Sequence, residues 1–210
     1  MTQMTKHSFD MISGTQEVFR LLLDALANPG RSVDMSFHAS QFAPNSSFLA
    51  LALTLLDNET GFFYKGHPEI CEEIRFLSGA EQAPPEKADF VFLTSHSVPS
   101  GASGESSETL IYAGEILSEL KAGTFRDPHD SALVFIETSG KAEHTTSINI
   151  KGPGVPPEGR NLLLSSEEAA WIKARDKQQY EYPQGVEIIF IREDSSLFAI
   201  TRKAVVTWPM

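Results

Sequence analysis

The sequence predicts an α/β fold in which a mixed central sheet is covered by helices on both faces. Three short runs carry that reading: residues 88–94 (ADFVFLT), 131–137 (SALVFIE) and 186–191 (VEIIFI) are rich in β-branched and aromatic residues. They are mostly apolar without clean alternation, the pattern of strands that need cover on both sides. Segments with a helical repeat are interspersed with such runs, so strand and helix begin to alternate along the chain.

The first helix is expected to open on a capping box, Ser13-x-x-Gln16, and to bury Phe19, Leu22, Leu23 and Leu26 at i, i+3, i+4, i+7. Asn28-Pro29-Gly30 ends it, because a residue before proline leaves the α region and Gly30 accepts the positive φ of a turn. A second helix is expected from Ser47 to Leu56, stopped by Asp57-Asn58-Glu59-Thr60-Gly61. Phe62 to Lys65 reads as a short strand. Pro68 then suits the first turn of a helix bearing Ile70, Ile74 and Leu77, with Gly79 as its stop.

Residues 95–107 (SHSVPSGASGESS) have almost nothing to bury and are expected to form a mobile surface loop. The loop is not a domain boundary, since either half would lack a sufficient core, and one domain is expected over residues 1–210. A strand around Thr145 to Lys151 follows, then a helix capped by Ser165-x-x-Glu168. Closing strands lie near Leu197 to Ile200 and Ala204 to Thr207, all counted into the mixed sheet.

A chain of 210 residues is long enough for a hydrophobic core without staples, and the single Cys71 cannot close an intrachain disulfide. The opening MTQMTKHSFD lacks the basic and apolar regions of a secretory signal, so a cytoplasmic location is expected. No run approaches 18 apolar residues, which excludes a spanning helix from the sequence reading. The 28 acidic against 17 basic residues leave a formal charge of -11, the wrong sign for attraction to nucleic acid. An anionic ligand would require positive charge gathered locally against this field.

Chemistry-bearing motifs are sparse. The six histidines (His7, His38, His67, His96, His129, His144) stand at least fifteen residues apart, so no metal motif is present and none is expected. Gly101-Ala102-Ser103-Gly104 only approximates a hydrolase nucleophile elbow and sits in the loop. Cys71, between Ile70 and Ile74 on a helix, reads as core packing rather than as a nucleophile.

Lys151-Gly152-Pro153-Gly154, leaving a strand with Arg160 close behind, fits two readings: a structural turn, or a cradle of backbone N–H groups for an anion. Arg20 projects off the apolar stripe of the first helix, and Arg202 follows the run Leu197 to Ile200 in a terminal strand. Each suits either an anion, a partner carboxylate or an ordinary surface ion pair.

Several signatures in order then resemble the PhnH family, subunits of the bacterial carbon-phosphorus lyase core complex. They are Phe9-Asp10, Gln16 with Phe19-Arg20-Leu21-Leu22, Asn28-Pro29-Gly30, Leu55-Leu56-Asp57-Asn58-Glu59-Thr60, and Gly123 with Pro128. The Gly152-Pro153-Gly154 loop, Tyr182-Pro183-Gln184-Gly185-Val186-Glu187 and Arg202 complete the series. Two departures are Thr201 before Arg202, where the family has proline, and Glu187, where it has aspartate.

The resemblance implies a fold similar to pyridoxal-phosphate-dependent transferases without their cofactor site, and a homodimer that assembles with PhnG, PhnI and PhnJ. It implies no cofactor and no catalytic residues on this chain. The complex would couple an alkylphosphonate to the ribose of ATP, giving a ribose 1-phosphonate 5-triphosphate. The alternatives are a stand-alone pyridoxal-phosphate-type enzyme and an anion-binding module built on Gly152-Pro153-Gly154.

Overall fold

The computed structural model describes residues 6–44, 46–94, 106–138 and 145–209. The chain begins with β1 (Lys6–His7), α1 (Ser13–Ala27), β2 (Val33–Asp34), α2 (Ser36–Ala39), β3 (Phe42–Ala43) and α3 (Ser47–Leu55). It continues with β4 (Gly61–Lys65), α4 (Pro68–Ser78), β5 (Glu81–Gln82), a 3-10 turn (Pro85–Lys87), β6 (Phe90–Leu93) and α5 (Ser106–Glu119). The last third comprises β7 (Leu133–Thr138), β8 (Thr145–Lys151), β9 (Arg160–Ser165), α6 (Ser166–Lys177), β10 (Glu187–Arg192), β11 (Ser196–Ile200) and β12 (Val205–Thr207).

The central sheet has seven strands in the order β2-β11-β10-β7-β6-β4-β5. The strands from β10 to β5 run parallel, β11 pairs antiparallel with both β10 and β2, and the sheet is mixed as expected. Its apolar strands divide their side chains between two cores. Phe92, Phe135, Ile189 and Ile191 face α1, α3 and α4, whereas Val91, Val134, Ile188 and Phe190 face α5 and α6. Phe92 and Phe135 stack with ring centroids 5.0 Å apart. Full burial of side chains this size contributes about 1.5 to 3 kcal/mol each, which is why both faces of these strands are apolar.

Four expectations need correction. Thr145–Lys151 is a strand, but β8 pairs with β9 and β12 in a separate three-stranded antiparallel sheet on the α5/α6 side. Ser13 and Gln16 form no capping box. Asp10 Oδ1 instead accepts from the N–H groups of Ile12 (2.8 Å) and Ser13 (3.1 Å), and these bonds lower its pKa. The buried stripe of α1 is Val18, Leu22 and Ala25, leaving Phe19 46% and Leu23 48% exposed. The helix is apolar over too much of its circumference for periodicity to tell which side meets the sheet. Finally, Ser106 and Ser107 belong to α5, while 95–105 lie outside the described residues together with Gly101-Ala102-Ser103-Gly104.

Other local signals act as read. Pro68 opens α4 and Gly79 closes it at φ 73°. Ser165 and Glu168 form the capping box of α6, each side chain accepting the other's backbone N–H. Leu56 follows α3 as its C-cap, and Ser46 Oγ accepts the Leu49 N–H at its start. Among the described residues, no helix is long and apolar enough to cross a membrane.

Candidate functional site

The candidates gather around the join between α1 and the small sheet. Lys151 ends β8 exposed, and Gly152-Pro153-Gly154 turns away with the Val155 N–H donating to Gly152 O at 3.1 Å. Gly154 sits at φ 78° with its α-carbon so close to Ala27 O that a Cβ would collide with it. Gly30 leaves the same kind of gap for the Ile150 side chain. Arg160, which lies on β9 and not in a loop, donates from Nη1 to Asn28 O (2.8 Å) and Pro29 O (2.6 Å). Its guanidinium thereby fastens the C-terminal end of α1 to the small sheet.

Arg202 lies in the turn between β11 and β12, two residues past the end of β11 and not in a terminal strand as expected. Its backbone N–H and Nε donate to the two oxygens of Glu187 at 2.8 and 2.7 Å, and Nη1 donates to Pro128 O. Gly185 allows this approach: a Cβ there would stand 3.2 Å from Arg202 Cβ. Lys203 O and Ala204 back onto Gly152, so the Gly152 turn and the Arg202 turn adjoin. Arg20 is exposed on α1 and touches none of these groups among the described residues.

Beside Arg202 opens a cleft of about 320 Å³ between the end of α6, the segment 179–186 and β12. Arg175, Asp176, Tyr180, Val186, Ala204 and Val206 line much of it. Arg175 is buried and spends its donors on Asp176 Oδ1, Thr201 O and Ala204 O. Burial pushes the Tyr180 hydroxyl above the ordinary phenol range, so it stays protonated and donates to Leu117 O. Sequence reasoning missed Arg175, because nothing local distinguishes an arginine in a last helical turn from an ordinary dipole-compensating cation.

A second region lies at the carboxyl ends of the parallel strands. From β4 the chain crosses to β5 on one side, and from β6 to β7 on the other, the switch point at which open α/β sheets favour ligands. Lys65 ends β4 with its Nζ 4.7 Å from the Tyr112 ring centre, and Gly66 is wedged against Thr94 and the Tyr64 hydroxyl. Desolvation, then the charge of Glu137, pushes the Tyr64 hydroxyl far above the usual phenol range. Burial likewise raises the Cys71 pKa, which disfavours the thiolate a nucleophile needs. The Tyr64 hydroxyl and the Cys71 thiol are thus both held toward their protonated forms. Among the described residues, no three His, Cys, Asp or Glu side chains gather as metal ligands.

Among curated proteins, none matches the chain. The family model described as bacterial phosphonate metabolism protein (PhnH) matches residues 7–207, a span that takes in the seven-stranded and three-stranded sheets, the Gly152 turn and the Arg202 cleft. The chain therefore belongs to the PhnH family of bacterial phosphonate metabolism proteins.

Proposed function

We propose that the chain is a cytoplasmic, non-catalytic subunit of the carbon-phosphorus lyase core complex, folded as one domain over residues 1–210. In this reading it forms a homodimer, joins PhnG, PhnI and PhnJ, and supports formation of ribose 1-phosphonate 5-triphosphate from ATP and an alkylphosphonate. Its fold would be that of pyridoxal-phosphate-dependent transferases without the cofactor site. Family membership is the observation that carries the reading.

The surface of α1 supports it. Ile12 (75% exposed), Phe19 and Leu23 line one exposed side of this helix, a concentration of apolar area typical of contact surfaces. The Gly152 turn supports an anion-binding module less well, because the Arg160 guanidinium is already committed to backbone carbonyls.

Co-expression with PhnG, PhnI and PhnJ tests the assignment. The chain should co-purify with them, and Phe19→Gln with Leu23→Gln should weaken that association while leaving the melting temperature unchanged. A chain that stays monomeric and ignores all three partners would sink the assembly reading. A visible absorbance band bleached by borohydride would establish the stand-alone pyridoxal-phosphate enzyme instead.

A further inference from the structure

We infer that the cleft beside Arg202 binds a small oxyanion carrying a short apolar group, with Arg202 Nη2 as the contact for the charged end. Two bonds hold the Arg202 guanidinium, Nε to Glu187 and Nη1 to Pro128 O, and the backbone N–H of Arg202 makes a third to Glu187. Among the described residues, Nη2 has no hydrogen-bond partner, so both of its N–H donors remain available from a fixed position. The side chain is only 17% exposed, which makes those donors preorganised rather than freely waving.

The walls supply the rest of the recognition. Val205 and Val206 offer apolar surface beside the guanidinium, over the buried Val186 and Ala204, in a space of about 320 Å³, within the range of small-molecule sites. Asp176 also lines the cleft and would repel an anion, but Arg175 covers its Oδ1 from Nε (3.1 Å) and Nη2 (2.6 Å). Among the residues lining the cleft, Arg175 and Arg202 stand against Asp176, a local excess of one positive charge, two minus one, in a chain of net charge -11. This is the local gathering of positive charge that an anionic ligand requires here. Arg175 and Lys177 in the last turn of α6 also offset the negative end of that helix.

The choice of an alkylphosphonate as the probe rests on the phosphonate reading above; the cleft itself rests on geometry. Titration of the full chain with ethylphosphonate, inorganic phosphate and acetate, followed by amide chemical shifts, tests the inference. Ethylphosphonate should give saturable shifts at Gly185 and Arg202, with a dissociation constant of about a millimolar or below. Phosphate, which lacks the apolar group, and acetate, which has lower charge, should bind more weakly.

Arg202→Gln should weaken ethylphosphonate at least about tenfold, the loss of a hydrogen bond between charged groups. If Arg202→Gln does not fold, Val205→Asp is the second variant. This exposed residue of the cleft wall tolerates a carboxylate, and binding should fall comparably. Phosphate binding as tightly as ethylphosphonate would overturn the apolar contact. Shifts confined elsewhere, unchanged affinity in both variants, or no saturation would overturn the site. Such a failure would leave co-purification with PhnG, PhnI and PhnJ untouched, so the two readings fail separately.

Discussion

Glu168 and Arg192 join the first turn of α6 to the end of β10: Arg192 donates from Nε and Nη2 to the two oxygens of Glu168 at 2.8 and 3.1 Å. The Glu168 side chain has no exposed surface, and it also accepts the Ser165 N–H at 2.8 Å and the Thr138 hydroxyl at 3.3 Å. The hydrogen bonds to Glu168 hold Arg192 above the ordinary guanidinium range, against its own burial. One carboxylate thus caps a helix and ties it to two parallel strands.

Glu168→Ala removes the cap and strands a partly buried guanidinium, and is expected to cost about 3 kcal/mol in urea unfolding. Glu168→Gln keeps an acceptor for the Ser165 N–H and should cost less. Equal losses in the two variants would mean that charge pairing with Arg192 accounts for the whole effect.

Gly154→Ala should cost about 2 to 3 kcal/mol, because the added methyl meets Ala27 O and the backbone holds φ 78°. Gly79→Ala shares the positive φ but meets only Asn58 Cβ at 4.0 Å, so about 1 kcal/mol is expected. The difference between the two unfolding free energies isolates the contact between the Gly152 turn and α1.

Arg160→Ala should destabilise by about 1 to 2 kcal/mol and speed hydrogen exchange at the Gly30 amide, which donates to Ala199 O at 2.8 Å. Unaltered exchange and stability, with lost anion affinity, would move Arg160 from fastening to ligand binding.

Leu22→Ala should cost about 3 kcal/mol, whereas Leu23→Ala should cost less than about 1 kcal/mol. Leu22 is 2% exposed and its neighbour 48%, so thermal denaturation of the pair checks which side of α1 meets the core.

Acid should unfold the protein through a set of carboxylates. The hydrogen bond from Lys121 lowers the Asp130 pKa, and bonds to backbone and side-chain groups lower Asp10, Asp34 and Asp194. A depressed folded pKa gives stability that is present above the unfolded value of about 3.9 and lost as pH falls through the folded one. For Lys121 desolvation opposes the charge, but hydrogen bonds from it to Asp130 and Asp89 outweigh that and raise its pKa. Its contribution is therefore present below about pH 10.4 and lost as pH rises through the folded value. Melting temperature should fall steeply below about pH 4, and Asp130→Asn should make that fall shallower.

Short-range signals carried much of the architecture. The strands at Phe90, Leu133 and Glu187, the stop at Gly79 and the Ser165 cap follow from residues within a few positions of one another, where backbone sterics and local hydrogen bonds decide the outcome. The helix α5 was not among the expected elements, although Tyr112, Ala113, Ile116 and Leu117 bury at helical spacing, because the Ser/Gly-rich run leading into it carries no apolar repeat. The family likeness, spread from Phe9 to Arg202, was likewise legible without any structure.

Tertiary structure alone decided the rest. Nothing within α1 says that Leu22 rather than Leu23 faces the sheet, because both are apolar and the neighbouring layers make the choice. The partners of Arg160 stand 131 and 132 positions away, and Glu187 is fifteen residues from Arg202. A guanidinium's role depends on which carbonyls and carboxylates the fold brings within about 3 Å of it, and sequence proximity does not encode that distance.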